Sequence, residues 1–107
     1  MTSINVGDMG TATSTAAAAT INHSQGTITT EALTTAQNAD YSFTLTNNCI
    51  FANSIVFLVA RNGTNTTAPI YCHSVVAAAG SVAFKVRNAC ASATALNGTI
   101  IIDFLVV

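Results

Sequence analysis

The side chains that could do chemistry in this sequence are few and widely spaced. The four carboxylates are Asp8, Glu31, Asp40 and Asp103. Glu31 and Asp103 both fall on predicted strands, so pairing of those strands would create an acidic couple of the kind that glycosidases use. The interpretation that we favour is that these two carboxylates are solvated or form ion pairs with Lys or Arg. The Lys and Arg side chains are Arg61, Lys85 and Arg87.

Motifs for nucleophilic, phosphate or metal chemistry are absent from the sequence. It contains no G-x-x-x-x-G-K loop and no G-x-S-x-G elbow. His23 and His73 are far apart, and Cys72 and His73 would face opposite sides of one strand. We therefore predict that the protein is not an enzyme and that it binds no metal, cofactor or small-molecule substrate.

The three cysteines, Cys49, Cys72 and Cys90, form an odd set with wide spacings and no C-x-x-C motif. This pattern does not indicate a disulfide framework. We expect buried free thiols that pack as small hydrophobic side chains.

The composition indicates a surface that other proteins cover. Charged residues make up 7% of the chain, against roughly 25% in typical domains, and the formal net charge is -1. Weak charge repulsion favours association, although a weakly charged monomer is the alternative. The scarcity of Lys and Arg argues against nucleic-acid binding. No apolar stretch approaches the ~18 residues of a membrane helix, and no signal-peptide pattern is visible, so we expect assembly in the cytosol.

The first 25 residues differ from the remainder of the chain. Ala, Thr, Ser and Asn dominate there, and the run Thr11–Thr20 contains no large side chain. Such a segment cannot build a core of its own. We predict that residues 1–25 form an extended N-terminal arm, which is ordered only if a neighbour holds it.

From Gly26 onwards the hydrophobic pattern has a period of two, which is typical of β-strands. The predicted strands span residues 27–33, 41–46, 54–60, 70–76, 82–87 and 99–107. Turn signals occur at Asn62-Gly63, at Ala78–Gly80 and at Asn97-Gly98. Residues 26–107 are therefore predicted to form an all-β domain, a single antiparallel β-sandwich or open barrel of about six strands.

Two of these strands are apolar on both faces. The segment Ser54–Ala60 fits a central strand or a strand at an interface. In the last strand, Ile100 and Ile102 share one face, and Ile101 and Leu105 share the other, so this strand should lie inside a sheet or beneath a partner.

Four phrases of the sequence resemble a β-domain found in small virion proteins of tailed bacteriophages. They are GTITTEALTTAQNADYSFTLTN (Gly26–Asn47), NGTNTTAPI (Asn62–Ile70), GSVAFKVRNA (Gly80–Ala89) and ALNGTIIIDFLV (Ala95–Val106). Proteins with this domain serve as capsid decoration (cement) subunits or as fibre modules. The resemblance covers about Gly26 to Val107 and implies a virion component without catalytic residues.

The leading hypothesis is a decoration subunit on the capsid exterior that bridges major capsid proteins. Self-association as a homotrimer is expected, because local threefold positions on icosahedral shells recruit trimers. The predicted contact residues are Thr11, Thr13, Thr15, Thr20, Asn62, Thr64, Asn65, Ile101 and Leu105. For the Asn62–Thr67 loop, a plain hairpin loop is the alternative. The alternative function is a tail-fibre or head-fibre module that binds a host receptor or glycan, although the sequence lacks Trp and contains only two Tyr.

Overall fold

The computed structural model describes residues 9–107, which form eight β-strands and no helix. The strands are β1 (Met9–Thr13), β2 (Ala18–Thr20), β3 (Gln25–Thr29), β4 (Asp40–Thr46), β5 (Val56–Asn62), β6 (Ile70–Ala78), β7 (Ser81–Asn88) and β8 (Ile100–Val106). They form two four-stranded sheets. Sheet I has the order β1-β3-β8-β5, and sheet II has the order β2-β4-β7-β6. The all-β class is therefore confirmed for the described residues.

One hydrophobic core takes the inward side chains of both sheets. In sheet II, alternate residues of β4 and β7 are buried, and the rings of Phe43 and Phe84 stack with centroids 5.1 Å apart. In sheet I, Ile100, Ile102 and Phe104 of β8 are buried in the same way. The predicted place of the last strand inside a sheet is thus confirmed, since β8 lies between β3 and β5.

Both sheets are mixed. β1 runs parallel to β3, and β2 runs parallel to β4, whereas the other pairs are antiparallel. The sheets do not close into a barrel, because β5 and β6 lie beside each other but share no hydrogen-bonded ladder. The prediction of about six strands in a single antiparallel sandwich or open barrel is therefore wrong in strand number and in strand direction.

The described part of the predicted arm contributes one strand to each sheet. β1 pairs with β3 from Met9↔Gln25 onwards, and β2 pairs with β4. A two-residue turn at Ala16 and Ala17 carries the chain from one sheet to the other. The scarcity of large side chains in this segment does not prevent pairing, because an edge strand gains backbone hydrogen bonds from its neighbour and needs no large side chain of its own. Residues 1–8 of the predicted arm lie outside the described residues.

The two lateral sides of the molecule are built differently. We call the side formed by β1 and β2 the arm side, and the side formed by β5 and β6 the open side. Because β5 is the edge strand of sheet I, the interpretation of residues 54–60 as a central strand is wrong. β6 and β7 form a hairpin through the predicted turn at Gly80, whose φ is 84°. β6 carries an irregularity between His73 and Val76, where Ser74 has a φ of 56°.

Candidate interaction surface

The open side collects the exposed large apolar side chains of the described residues. They are Phe51, Ile55, Phe57, Val59, Tyr71, Val75, Val76 and Val107. Apart from Phe51 and Val107, they lie on β5, on β6 or directly before β5. Val107 belongs to the same surface, because it exchanges two backbone hydrogen bonds with Ile55. Phe57 and Val59 lie on the outer face of sheet I, whereas Tyr71 and Val76 lie on the outer face of sheet II. Exposed apolar patches mark interaction sites, so the open side, where the two outer faces end, is the candidate functional site.

On the outer face of sheet I, β5 and β8 place apolar side chains side by side. Phe57 pairs with Leu105, and Arg61 pairs with Ile101. Phe57 is 56% exposed and Val59 is 60% exposed, whereas Leu105 and Ile101 are half-buried by their neighbours. The predicted contact residues Ile101 and Leu105 therefore lie on this outer face, next to the more exposed side chains of β5.

The charges on the outer face of sheet I are paired with each other. Arg61 Nε donates a hydrogen bond to Asp103 Oδ2 at 2.8 Å, and Thr27 Oγ1 donates to Asp103 Oδ1 at 2.9 Å. The hydrogen bond from Arg61 holds the pKa of Asp103 below its usual value. The favoured interpretation of Asp103 as an ion-pair partner is confirmed, and the pair leaves no net charge from these two groups.

Glu31 and Asp103 do not form an acidic couple. Glu31 lies just beyond β3 rather than on a strand, and it accepts hydrogen bonds from Ser14 Oγ, from Ala17 N at 3.0 Å and from Tyr41 Oη at 2.9 Å. Partial burial raises the pKa of Glu31, but these hydrogen bonds together outweigh burial and bring the pKa below its usual value. The carboxylate therefore fastens the turn between β1 and β2 to the body of the protein.

The other ionisable side chains of the described residues form no metal-ligand cluster and line no pocket. On the outer face of sheet II, Asp40 Oδ1 lies 2.8 Å from His73 Nε2 and 3.5 Å from Arg87 Nη1. The hydrogen bond with His73 lowers the pKa of Asp40. Asp40 thus forms an ion pair with Arg87 and a hydrogen bond with His73 at the surface of sheet II.

The three cysteines are free thiols, as predicted, but they are half-buried rather than fully buried. Cys72 packs against the core from the edge strand β6, and burial raises the pKa of its thiol to about 11. Cys90 lies in the loop after β7, where a hydrogen bond with Ser92 lowers its pKa. An edge strand and a loop cannot enclose a side chain as a central strand does, which explains the incomplete burial.

The polar loop predicted for partner contacts is bonded to the molecule itself. It connects β5 of sheet I to β6 of sheet II, so the alternative of a plain hairpin loop is also wrong. Asn65 is 2% exposed: its amide donates to Asn62 Oδ1 and Thr67 O, and its Oδ1 accepts from Asn97 N. Asn62 and Thr64 remain exposed. The predicted contact residue Asn65 is therefore buried in the folded chain, where its side chain fastens two loops together.

The predicted threonine contacts are spread over the arm side. Thr11 and Thr13 are exposed on β1 and share the outer face of sheet I with threonines of β3. Thr15 precedes the turn, and Thr20 lies on the outer face of sheet II. The predicted contact residues therefore do not form one continuous surface.

Two contact candidates were missed by the sequence reasoning, namely Phe57 and Val59. The available signal was the apolar character of the Ser54–Ala60 run at both odd and even positions, which also fits a central strand. The described part of the chain contains no helix that could span a lipid bilayer. The chain has no significant match among family models, curated proteins or solved structures.

Proposed function

We propose that the protein is a structural subunit of a tailed-phage particle, a decoration or cement protein on the capsid exterior that bridges major capsid proteins. The observation that carries the proposal is the concentration of exposed large apolar side chains on the open side. The resemblance of residues 26–107 to phage virion β-domains supports the class of particle. The proposed partners are the major capsid protein and further copies of this chain.

The mechanism is burial of apolar surface without a large electrostatic cost. Removing apolar area from water contributes about 25 cal/mol per Å². Phe57 and Val59 supply such area, and Ile101 and Leu105 extend it across β8. Desolvating charges would oppose binding, but Arg61 and Asp103 already satisfy each other. In the described residues, every buried side-chain nitrogen or oxygen has a hydrogen-bond partner, so the docking surface rests on a fully bonded framework.

The proposal is tested by sedimenting the purified protein with empty heads of the phage that encodes it. We expect the protein to pellet with the heads at a fixed ratio to the major capsid protein. Phe57→Asp should lower the bound amount by at least tenfold, because it places a charge in the apolar contact. Thr44→Asp is the matched control, since Thr44 is an exposed residue on the outer face of sheet II, and it should bind normally.

Wild-type protein that stays in the supernatant with intact heads would contradict the decoration role. Binding to host cells instead would favour the fibre-module alternative. The observation that speaks for that alternative is the exposed ring of Tyr71, which lies 5.6 Å from the ring of His73 on the outer face of sheet II. Aromatic faces of this kind could stack on a sugar.

A further inference from the structure

The four sheet edges of the described residues are protected to very different degrees. β1 and β2 are short, and the turn at Ala16 and Ala17 links them. β6 is interrupted by the irregularity at Ser74. Short strands and bulges are common ways to prevent edge-to-edge pairing. β5 has seven residues, a regular ladder with β8, and no Pro, Gly or Lys. It is therefore the edge best suited to accept another strand.

The hydrogen bonds to β8 determine which backbone groups of β5 are free. Ile55 and Val107 exchange both bonds, at 3.3 and 2.8 Å, and Gly63 N donates to Thr99 O at 3.0 Å. In an antiparallel ladder, residues that bond to one neighbour alternate with residues that point away from it. The odd-numbered residues of β5 therefore bond to β8. Val56, Leu58 and Ala60 direct their N–H and C=O groups towards the open edge.

This alternation restricts how β5 can pair with a second β5. In a two-fold antiparallel pair, the even-numbered residues must face even-numbered residues. Among the permitted registers, the one with its axis at Val59 pairs the whole strand, from Val56 opposite the partner's Asn62. Leu58 and the partner's Ala60 then exchange both backbone hydrogen bonds.

The same register makes the side chains complementary. Val59 faces the partner's Val59 at the axis, and Phe57 faces the partner's Arg61. A guanidinium against an aromatic ring contributes a favourable cation–π contact, and aromatic cross-strand pairs stabilise sheets. Arg61 can keep its bond to Asp103 while the face of its guanidinium covers the ring. No like charges are brought opposite each other in this arrangement.

We infer that the occupant of the β5 edge is a second copy of this chain, paired antiparallel about a two-fold axis at Val59. The pair joins the two copies of sheet I into one continuous sheet. It places the outer faces that carry Phe57, Ile101 and Leu105 side by side. Such a dimer differs from the trimer expected on capsid symmetry. It needs no capsid protein, so it stands or falls independently of the proposed function.

The sharpest test is a disulfide across the axis. Paired residues that share no hydrogen bonds have Cα atoms about 4.5 Å apart, which suits a disulfide. In a background with Cys49, Cys72 and Cys90 changed to alanine, Val59→Cys should give a covalent dimer on mild oxidation. Phe57→Cys is the matched control. It is equally exposed but faces the partner's Arg61, so it should remain mostly uncrosslinked on a non-reducing gel.

A second test measures mass in solution by light scattering after gel filtration. We expect a particle of twice the 10.9 kDa chain mass. Ala60→Pro should give a monomer, because it removes an N–H that points to the open edge and costs no bond to β8. Ala77→Pro makes the same change at a half-buried alanine of β6 and should leave the dimer intact. Circular dichroism checks that both variants are folded.

Three results would overturn the inference. The first is a wild-type protein that stays monomeric at protein concentrations of hundreds of micromolar. This holds even if a variant lacking residues 1–8 dimerises. The second is a trimer mass. The third is a dimer that survives Ala60→Pro and is not crosslinked through Val59→Cys. A dimer with the expected crosslink supports the inference even if the protein ignores phage heads.

Discussion

The arm side and the open side differ in how they protect the unpaired backbone groups at the edges of the two sheets. Each side consists of one edge strand from each sheet, and each edge strand has a row of backbone groups with no partner strand. On the arm side the strands are short and are joined by a turn that Glu31 bonds to the body. On the open side the strands are longer, lie beside each other without a hydrogen-bonded ladder, and expose large apolar side chains.

The difference shows what each kind of side chain is used for. The arm side contains mostly Thr, Ala and Gly, and it is held by backbone pairing and by the partly buried hydrogen-bond network around Glu31. The open side keeps Phe, Ile and Val in solvent, at a cost that only association removes. We therefore expect changes on the arm side to alter stability and changes on the open side to alter association.

The largest loss of stability is expected from Gly26→Ala, which should disrupt the pairing of β1 with β3. A Cβ at this position would lie 2.6 Å from the carbonyl oxygen of Gly10 and 2.8 Å from the ring of Phe104. Neither neighbour can move without shifting a strand or the core. We expect a loss of about 2 to 3 kcal/mol in the free energy of unfolding, measured in urea.

Gly80→Ala provides the control for that substitution. Gly80 has open space around it but a positive φ, so alanine there should cost only about 1 kcal/mol of conformational strain. Equal losses for the two variants would show that close approach of β1 to β3 is not what requires glycine at position 26.

The next effect concerns the network that fastens the arm. Glu31→Gln removes a charged acceptor, and we expect a loss of about 1 to 2 kcal/mol at pH 7. The pKa of Glu31 is lower in the folded protein than its usual 4.5. Its contribution is therefore fully present above pH 4.5 and is lost as the pH falls through the lower folded value.

The measurement is the melting temperature of wild type and Glu31→Gln at pH 7 and at pH 3. The difference between the two proteins should shrink at the lower pH. A difference that stays constant would mean that the carboxylate charge does not hold the turn.

The smallest effect is a gain of stability at the same turn. Ala17 has a φ of 63°, which is unfavourable for any residue with a Cβ. Ala17→Gly should raise the free energy of unfolding by about 0.5 to 1 kcal/mol, seen as a melting temperature a few degrees higher. Ala19→Gly, in the adjacent strand β2, should lower it instead. A loss in both variants would argue against the left-handed turn.

The sequence predicted the strands that are marked by a pattern of apolar side chains. It did not predict the strands that are held in place mainly by backbone hydrogen bonds. Alternation of apolar and polar or small residues located β4 and β7, because one face of each strand fills the core, and the long apolar run at 99–107 located β8. β1 and β2 have no such alternation, since they are edge strands held by backbone hydrogen bonds to β3 and β4. The direction of those strands, parallel in both cases, leaves no mark on composition.

The candidate site was predicted in part for a related reason. Ile101 and Leu105 could be assigned to an outward face by counting along one strand. Whether residues 54–60 lie at the centre or at the edge of a sheet depends on strand order, which a local pattern does not encode. The burial of Asn65 depends on Asn97, 32 positions away, and no short-range signal reveals that contact.

The register of sheet I has a mechanical consequence. Met9, Gln25 and Leu105 occupy one row across β1, β3 and β8. The start of β1 and the end of β8 therefore lie at the same end of sheet I. Tension applied between these two points would open the ladders one hydrogen bond at a time, from that end inward. The chain is therefore expected to yield to a small force when it is pulled by its ends. Load carried across the faces of the sheets would instead be shared by many contacts at once.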